Sequence, residues 1–243
     1  MHRTGDLYGH FQTLEQQKES ATLGMWIFLV TEVLFFGGLF LAYTINRTAF
    51  STAFGIGSNT LDITLGAGNT VVLIMSSLTM AMAVWSAQVG KKKLVSTFLI
   101  ATLVLGTVFL GVKAIEYKQK YDHHLIPGSG FDMRYRSAHP TPADDPKEMA
   151  LEKEEVEKAF ASDPDINSHS QLYFSLYFGM TGLHALHMII GAGLLLWLIK
   201  GSFAGRFTPQ YNTPVEVVGL YWHFVDIVWI YLFPLLYLID RHR

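Results

Sequence analysis

Six ionisable side chains stand inside stretches that are otherwise apolar: Glu32, His184, His187, Glu216, His223 and Asp226. In hydrocarbon such a group costs roughly 2.5–3.5 kcal/mol on insertion scales, so it turns toward protein and toward other polar groups. His184 and His187 lie one helical turn apart and share a face, and Glu216 and His223 lie two turns apart and share another. The prediction is one interior cluster, with Glu32 against histidines of the fourth or fifth apolar segment. Three chemistries bear on it. A dinuclear metal centre in a helical bundle takes Glu-x-x-His pairs plus two further carboxylates. These segments offer His184-x-x-His187 and His223-x-x-Asp226 and no Glu-x-x-His, and nothing marks a haem pocket. A proton relay is the second reading, since intramembrane Glu and His commonly serve one. A satisfied polar network that locks helices together is the third. Spacing leaves the last two open, and it assigns no catalytic residue, metal ligand or cofactor-binding residue.

Helices long enough to cross a bilayer must position these groups. A span needs about 20 apolar residues, and five segments supply them, at about 21–43, 65–89, 94–117, 172–199 and 215–238. The expected fold is therefore all-α: a polytopic membrane bundle behind a polar tail, residues 1–20. That tail lacks the basic-then-apolar order of a signal peptide, so the first span is expected to stay in the mature protein. Composition agrees, with 50% hydrophobic residues against 16% Asp, Glu, Lys and Arg, where a soluble domain carries about a quarter. There is no cysteine, which excludes disulfides, thiolate metal sites and cysteine nucleophiles. A net charge of −2 gives no indication of nucleic acid.

The connections differ in kind. Residues 47–64 read as a Gly/Ser/Thr/Asn-rich loop, 90–93 as a tight basic turn and 201–214 as a short Gly/Pro loop. Residues 122–170 form a long acidic segment; from Tyr121 to Ser170 there are eleven Asp and Glu against five Lys and Arg. Within it, Asp145-Pro146-Lys147-Glu148 reads as a helix start, with Asp145 capping, Pro146 in the first turn and Glu148 bonding back. A short amphipathic helix over about 146–161 follows, with a Glu154–Lys158 pair one turn apart. Arg3, Lys18, Lys91, Lys92, Lys93, Lys200 and Arg206 collect on one side, and Arg47, Arg241 and Arg243 on the other. This asymmetry places the N-terminus in the cytoplasm and the C-terminus and acidic loop outside. The tryptophans read as interfacial anchors or packing groups, with Trp26, Trp222 and Trp229 as candidate lipid or subunit contacts.

The order of local patterns resembles subunit III of the haem–copper terminal oxidases, in a short bacterial form with five helices. The first segment, Gly24-Met-Trp-Ile-Phe-Leu-Val-Thr-Glu32 through Tyr43, looks like the family's third helix with its intramembrane glutamate. Asn69-Thr70 through Ser77 is similar to the fourth helix, and Glu116-Tyr117 to the end of the fifth. Gly179-Met-Thr-Gly-Leu-His184-Ala-Leu-His187 is similar to the sixth. Tyr221-Trp-His223-Phe-Val-Asp226-Ile-Val-Trp229, the most specific string, is similar to the seventh.

The resemblance implies a supporting subunit without a redox centre, which stabilises subunit I and sustains its proton uptake. The complex would sit in a bacterial cytoplasmic membrane and pass electrons from cytochrome c to oxygen. Haem and copper are expected in partner subunits and none in this chain, and structural phospholipid is expected. The implied partners are subunit I, a subunit II and a small subunit IV. Longer members carry two more N-terminal helices, and 1–20 has no room for them, so subunit I is expected to fill their place. Cytochrome c or another respiratory complex is the candidate partner of 122–170. Subunit III of a quinol oxidase and the related protein associated with nitric oxide reduction share the pattern. An independent proton or solute transporter is the rival from another class; transporters commonly show repeated halves and broken helices, and neither is evident.

Overall fold

The computed structural model describes residues 11–139 and 146–238. Its helices in chain order are α1 (Leu14–Ala49), α2 (Ser51–Asn59), α3 (Ile63–Gln88), α4 (Lys92–Asp122), α5 (Tyr135–Ala138), α6 (Pro146–Ser162), α7 (Ile166–Phe203) and α8 (Thr213–Phe233), and α8 runs on into a π-turn, Pro234–Leu238. Among the described residues the fold is all-helical, and five helices, α1, α3, α4, α7 and α8 with its π-turn, are long and apolar enough to cross a membrane. A helix satisfies its own backbone polar groups, which is what hydrocarbon requires of any span. Most of these helices outrun the predicted apolar stretches, because polar residues at the ends continue the hydrogen-bond ladder beyond the lipid. Four prolines are placed to permit it: Pro146 and Pro214 lie in first turns, and Pro164 and Pro209 between helices, where a missing N–H costs nothing.

Residues 47–64 hold the helix α2 rather than loop alone. Their Gly, Ser, Thr and Asn have poor helix propensity, but Ala53, Phe54 and Ile56 are buried, and tertiary packing overrides the local preference. Asp62 then starts α3 by accepting the backbone N–H groups of Thr64 and Leu65 at 2.7 and 3.1 Å, as an N-cap carboxylate does. Helix α6 begins at Pro146 and pairs Glu154 with Lys158 at 2.6 Å on an exposed face. Asp145 and the side chain of Glu148, the proposed capping partners, lie outside the described residues, as do Arg3, Arg241 and Arg243.

Contacts divide the chain into two units. Unit 1 comprises Met1–Phe35, Val71–Phe109 and His184–Val228, and unit 2 comprises Phe36–Thr70, Leu110–Leu183 and Trp229–Arg243. The core of unit 1 includes Leu73, Met80, Leu99, Phe109, Met188 and Trp222. In unit 2 the core is aromatic, with Tyr43, Phe54, Tyr173, Phe174 and Tyr177 meeting mostly edge to face at centroid distances of 5.2–6.5 Å, the arrangement ring quadrupoles favour. Helix α6 packs against α2 and α5, and its Met149, Val156 and Ala159 are buried. Between α6 and α7, His169 bonds Asp163 at 2.8 Å and holds that carboxyl below its usual range.

Candidate functional site

Unit 1 receives all six predicted residues; Glu32 and His187 meet each other, while His223 and Glu216 find partners outside the six. Glu32 on α1 meets His187 on α7, Oε2 to Nε2, at 3.2 Å. The Tyr221 hydroxyl donates to the His187 backbone carbonyl at 3.0 Å, and the two rings lie 6.4 Å apart and nearly parallel. His184, one turn earlier, is buried edge-on to Phe109. His223 on α8 joins Ser77 on α3, Nδ1 to Oγ, at 2.7 Å. Glu216 sits near the start of α8, where Lys18 lies 3.0 Å away and Gln88 donates to it at 2.8 Å. Asp226 is buried in the middle of α8, and neither of its oxygens accepts a hydrogen bond. Among the described residues no three His, Asp or Glu side chains converge as a metal ion would need.

The Glu32–His187 pair invites a direct measurement. Double-mutant cycles between polar side chains inside membranes average about 0.6 kcal/mol and reach about 1.7 kcal/mol. A cycle of Glu32→Gln and His187→Gln is therefore expected to show coupling of about 0.5–2 kcal/mol in thermal stability. Additive effects of the two substitutions would show that the contact contributes nothing.

The tryptophans need a correction. Trp222 and Trp229 are fully buried within the chain, which removes them as lipid or subunit contacts. Trp229 Nε1 donates to Thr70 Oγ1 and Trp222 Nε1 to Ser76 Oγ, each at 3.0 Å, so each ring has a polar tether inside its own unit. Trp26 on α1, 53% exposed, keeps an outward face.

Unit 2 holds a polar centre that the pattern of apolar runs did not reveal. Lys113 and Glu116 lie one turn apart on α4, both buried, Nζ to Oε2 at 2.8 Å. Glu116 Oε1 accepts from Tyr177 at 2.7 Å and from Tyr237 as well. The Tyr237 hydroxyl in turn accepts from Lys113 at 2.6 Å. The ammonium also stands over the ring of Trp229, 4.6 Å from its centroid. The π-turn carries Tyr237 into this network. Pro234 has no N–H to offer, and the Leu235 and Leu236 carbonyls are held by side chains. Tyr43, Ser58 and Tyr173 hydroxyls donate to those carbonyls at 3.0, 2.8 and 3.3 Å. One turn along α4, Lys120 donates to the Thr60 carbonyl at 2.6 Å. Arg136 shares that oxygen at 3.0 Å and pairs with Glu152 at 3.3 Å. The signal available in the sequence was an i,i+3 Lys–Glu pair near the end of the third apolar run, where long side chains usually snorkel to water.

Residues 1–124 and 157–240 match the family model for cytochrome c oxidase subunit III. The chain belongs to the cytochrome c oxidase subunit III family. A cytochrome c oxidase subunit 3 from Corynebacterium diphtheriae is 29% identical, covering 90% of this chain and 88% of its own. The cytochrome bo(3) ubiquinol oxidase subunit 3 of Pseudomonas aeruginosa is 28% identical, covering 90% and 85%. In Aeropyrum pernix, a heme-copper oxidase subunit I+III matches 96% of this chain with 24% of its own length, at 28% identity. Subunit III is thus a family found both alone and fused to subunit I. The match passes over residues 125–156, which contain α5 and the first part of α6.

Proposed function

We propose that the chain is the non-redox subunit III of a proton-pumping haem–copper oxidase in a bacterial cytoplasmic membrane. In this reading it stabilises subunit I and supports its proton uptake while electrons from cytochrome c reduce oxygen to water. The family match on both sides of 125–156 carries the reading. The side chains are consistent with it: Glu32 against His187 and His223 against Ser77 make a pre-organised polar interior of the kind that suits a brace. Haem and copper belong to the partner subunits in this proposal. Mild-detergent purification should bring down haem-bearing chains with visible haem absorbance; a lone homo-oligomer with transport activity would overturn the proposal. A quinol donor is the second reading, favoured by the ubiquinol oxidase relative at nearly the same identity. Oxygen uptake by the purified complex with reduced cytochrome c against a quinol separates the two.

The partner face is α1. Within the chain only 11% of its most apolar window is buried, against 56% for α8, and Trp26, Val30, Val33 and Leu34 are exposed. Helices of subunit I are the proposed cover, with phospholipid in what remains, and the fused relative supports that neighbour. For orientation, the basic short connections put the N-terminus in the cytoplasm. The chain has no native cysteine, so Lys153→Cys on α6 gives one reporter. A membrane-impermeant maleimide should label it from the periplasmic side of spheroplasts; labelling only after lysis would reverse the topology. Exposed acids on α6, Glu154 and Glu157 among them, are proposed to steer a basic donor protein or a neighbouring complex. Glu154→Gln with Glu157→Gln should slow donor reaction at low salt only, and unchanged low-salt kinetics would remove that role.

A further inference from the structure

Asp226 is the side chain in unit 1 with the least visible compensation. It is 2% exposed, and neither carboxyl oxygen is in hydrogen-bond geometry with a donor. A bare carboxylate in that position is costly, so something must balance it. Among the described residues no lysine or arginine forms an ion pair with Asp226, and no set of three metal-ligating side chains surrounds it. What stands beside it is Ser77, close enough to act on the carboxyl, with its Oγ turned to His223 Nδ1 at 2.7 Å. His223 precedes Asp226 by one helical turn on the same face and is only partly buried. A rotation about the Ser77 Cα–Cβ bond would therefore carry one hydroxyl between a buried carboxyl and a more accessible imidazole.

We propose that Asp226 is a proton-binding site and that Ser77 passes its proton to His223. The step balances without any redox partner. The Asp226 O–H bond breaks as its proton joins Ser77 Oγ, and the original Ser77 O–H breaks as that proton joins His223 Nδ1. An Asp226 carboxylate and a His223 imidazolium result, opposite charges on either side of a neutral hydroxyl. The imidazolium can then release the proton on Nε2, the nitrogen on the far side of the ring, and the reverse sequence reloads Asp226. All three groups belong to this chain. The site therefore does not depend on the oxidase reading, and its test reads the same whatever chains co-purify.

The test is infrared spectroscopy of the purified protein with its native partners in detergent. Wild type should show a carboxylic C=O stretch that shifts in D2O, and Asp226→Asn should remove that band. Asp226→Glu should keep such a band at a displaced frequency, which separates loss of the proton site from loss of the fold. Ser77→Ala should keep the band and slow its H/D exchange by about a hundredfold, the scale of a removed proton-transfer group. His223→Gln should slow exchange similarly. Absence of any Asp226-dependent carboxylic band would overturn the site. Exchange at the wild-type rate in Ser77→Ala would overturn the relay, because water would then be the carrier.

Discussion

Glu116→Gln is expected to destabilise the protein by about 3–5 kcal/mol, the usual cost of leaving one member of a buried ion pair without its partner. The carboxylate is the only acid paired with Lys113 among the described residues, and both side chains are almost wholly buried. With glutamine in place the ammonium keeps the Tyr237 oxygen and the Trp229 ring face, but a ring quadrupole supplies only about 2 kcal/mol or somewhat more even when desolvated, short of a counter-charge. The Tyr177 and Tyr237 hydroxyls also exchange an ionic acceptor for a neutral one, and hydrogen bonds to charged groups are the stronger kind. Because Tyr237 lies on the π-turn, the loss should reach the end of α8 first. Thermal unfolding in detergent followed by size-exclusion chromatography reads the effect. The double replacement Lys113→Met with Glu116→Leu should recover most of the loss, because removing both charges removes the desolvation cost with them. A Glu116→Gln protein within about 0.5 kcal/mol of wild type, the range of an unremarkable surface change, would show that the pair is not a structural centre.

How legible these features were in the sequence follows from which physical rule controls each. The long helices were legible because hydrocarbon tolerates few other structures, and an apolar run of sufficient length declares itself. The helix at α6 was legible from the grammar of helix starts and an i,i+4 pair. Helix α2 was not, since only the burial of Phe54 and Ile56 reveals why Gly, Ser and Thr should wind there. For the intramembrane groups, periodicity gives the depth of Glu32, His187 or Asp226 and the face each occupies, but not which face of the next helix stands opposite. The Glu32–His187 and Ser77–His223 contacts therefore had to come from the packing. Lys113 and Glu116 were hidden by their position near the end of an apolar run, where burial and snorkelling leave the same trace. Tyr237 was hidden because its reach depends on a π-turn after Pro234, which a 3.6-residue pattern does not encode.

Trp222→Ala should cost about 3–5 kcal/mol, the range for deleting a large aromatic from a packed interior. The indole is fully buried in unit 1, and its environment is shaped around it. A Cβ added at Gly106 of α4 would stand 2.9 Å from the Trp222 ring, and one added at Gly191 of α7 would stand 2.9 Å from it as well. Those two glycines let α4 and α7 close on the ring, while Ser76 of α3 takes its N–H at 3.0 Å. Between helices in lipid, dispersion and hydrogen bonding do most of the work that water exclusion does elsewhere, so the cavity left by alanine is the dominant loss. Trp222→Phe keeps most of the volume and should cost less, chiefly the Ser76 bond and a small void. The reverse change, Gly191→Leu, should fail by overpacking, since a β-carbon already meets the indole, and typical penalties of about 1–3 kcal/mol apply only where neighbours can yield. Retained helicity with a lowered unfolding temperature is the expected signature of Trp222→Ala. If Trp222→Ala and Trp222→Phe unfold at the wild-type temperature, the ring fills space without holding α4, α7 and α8 together.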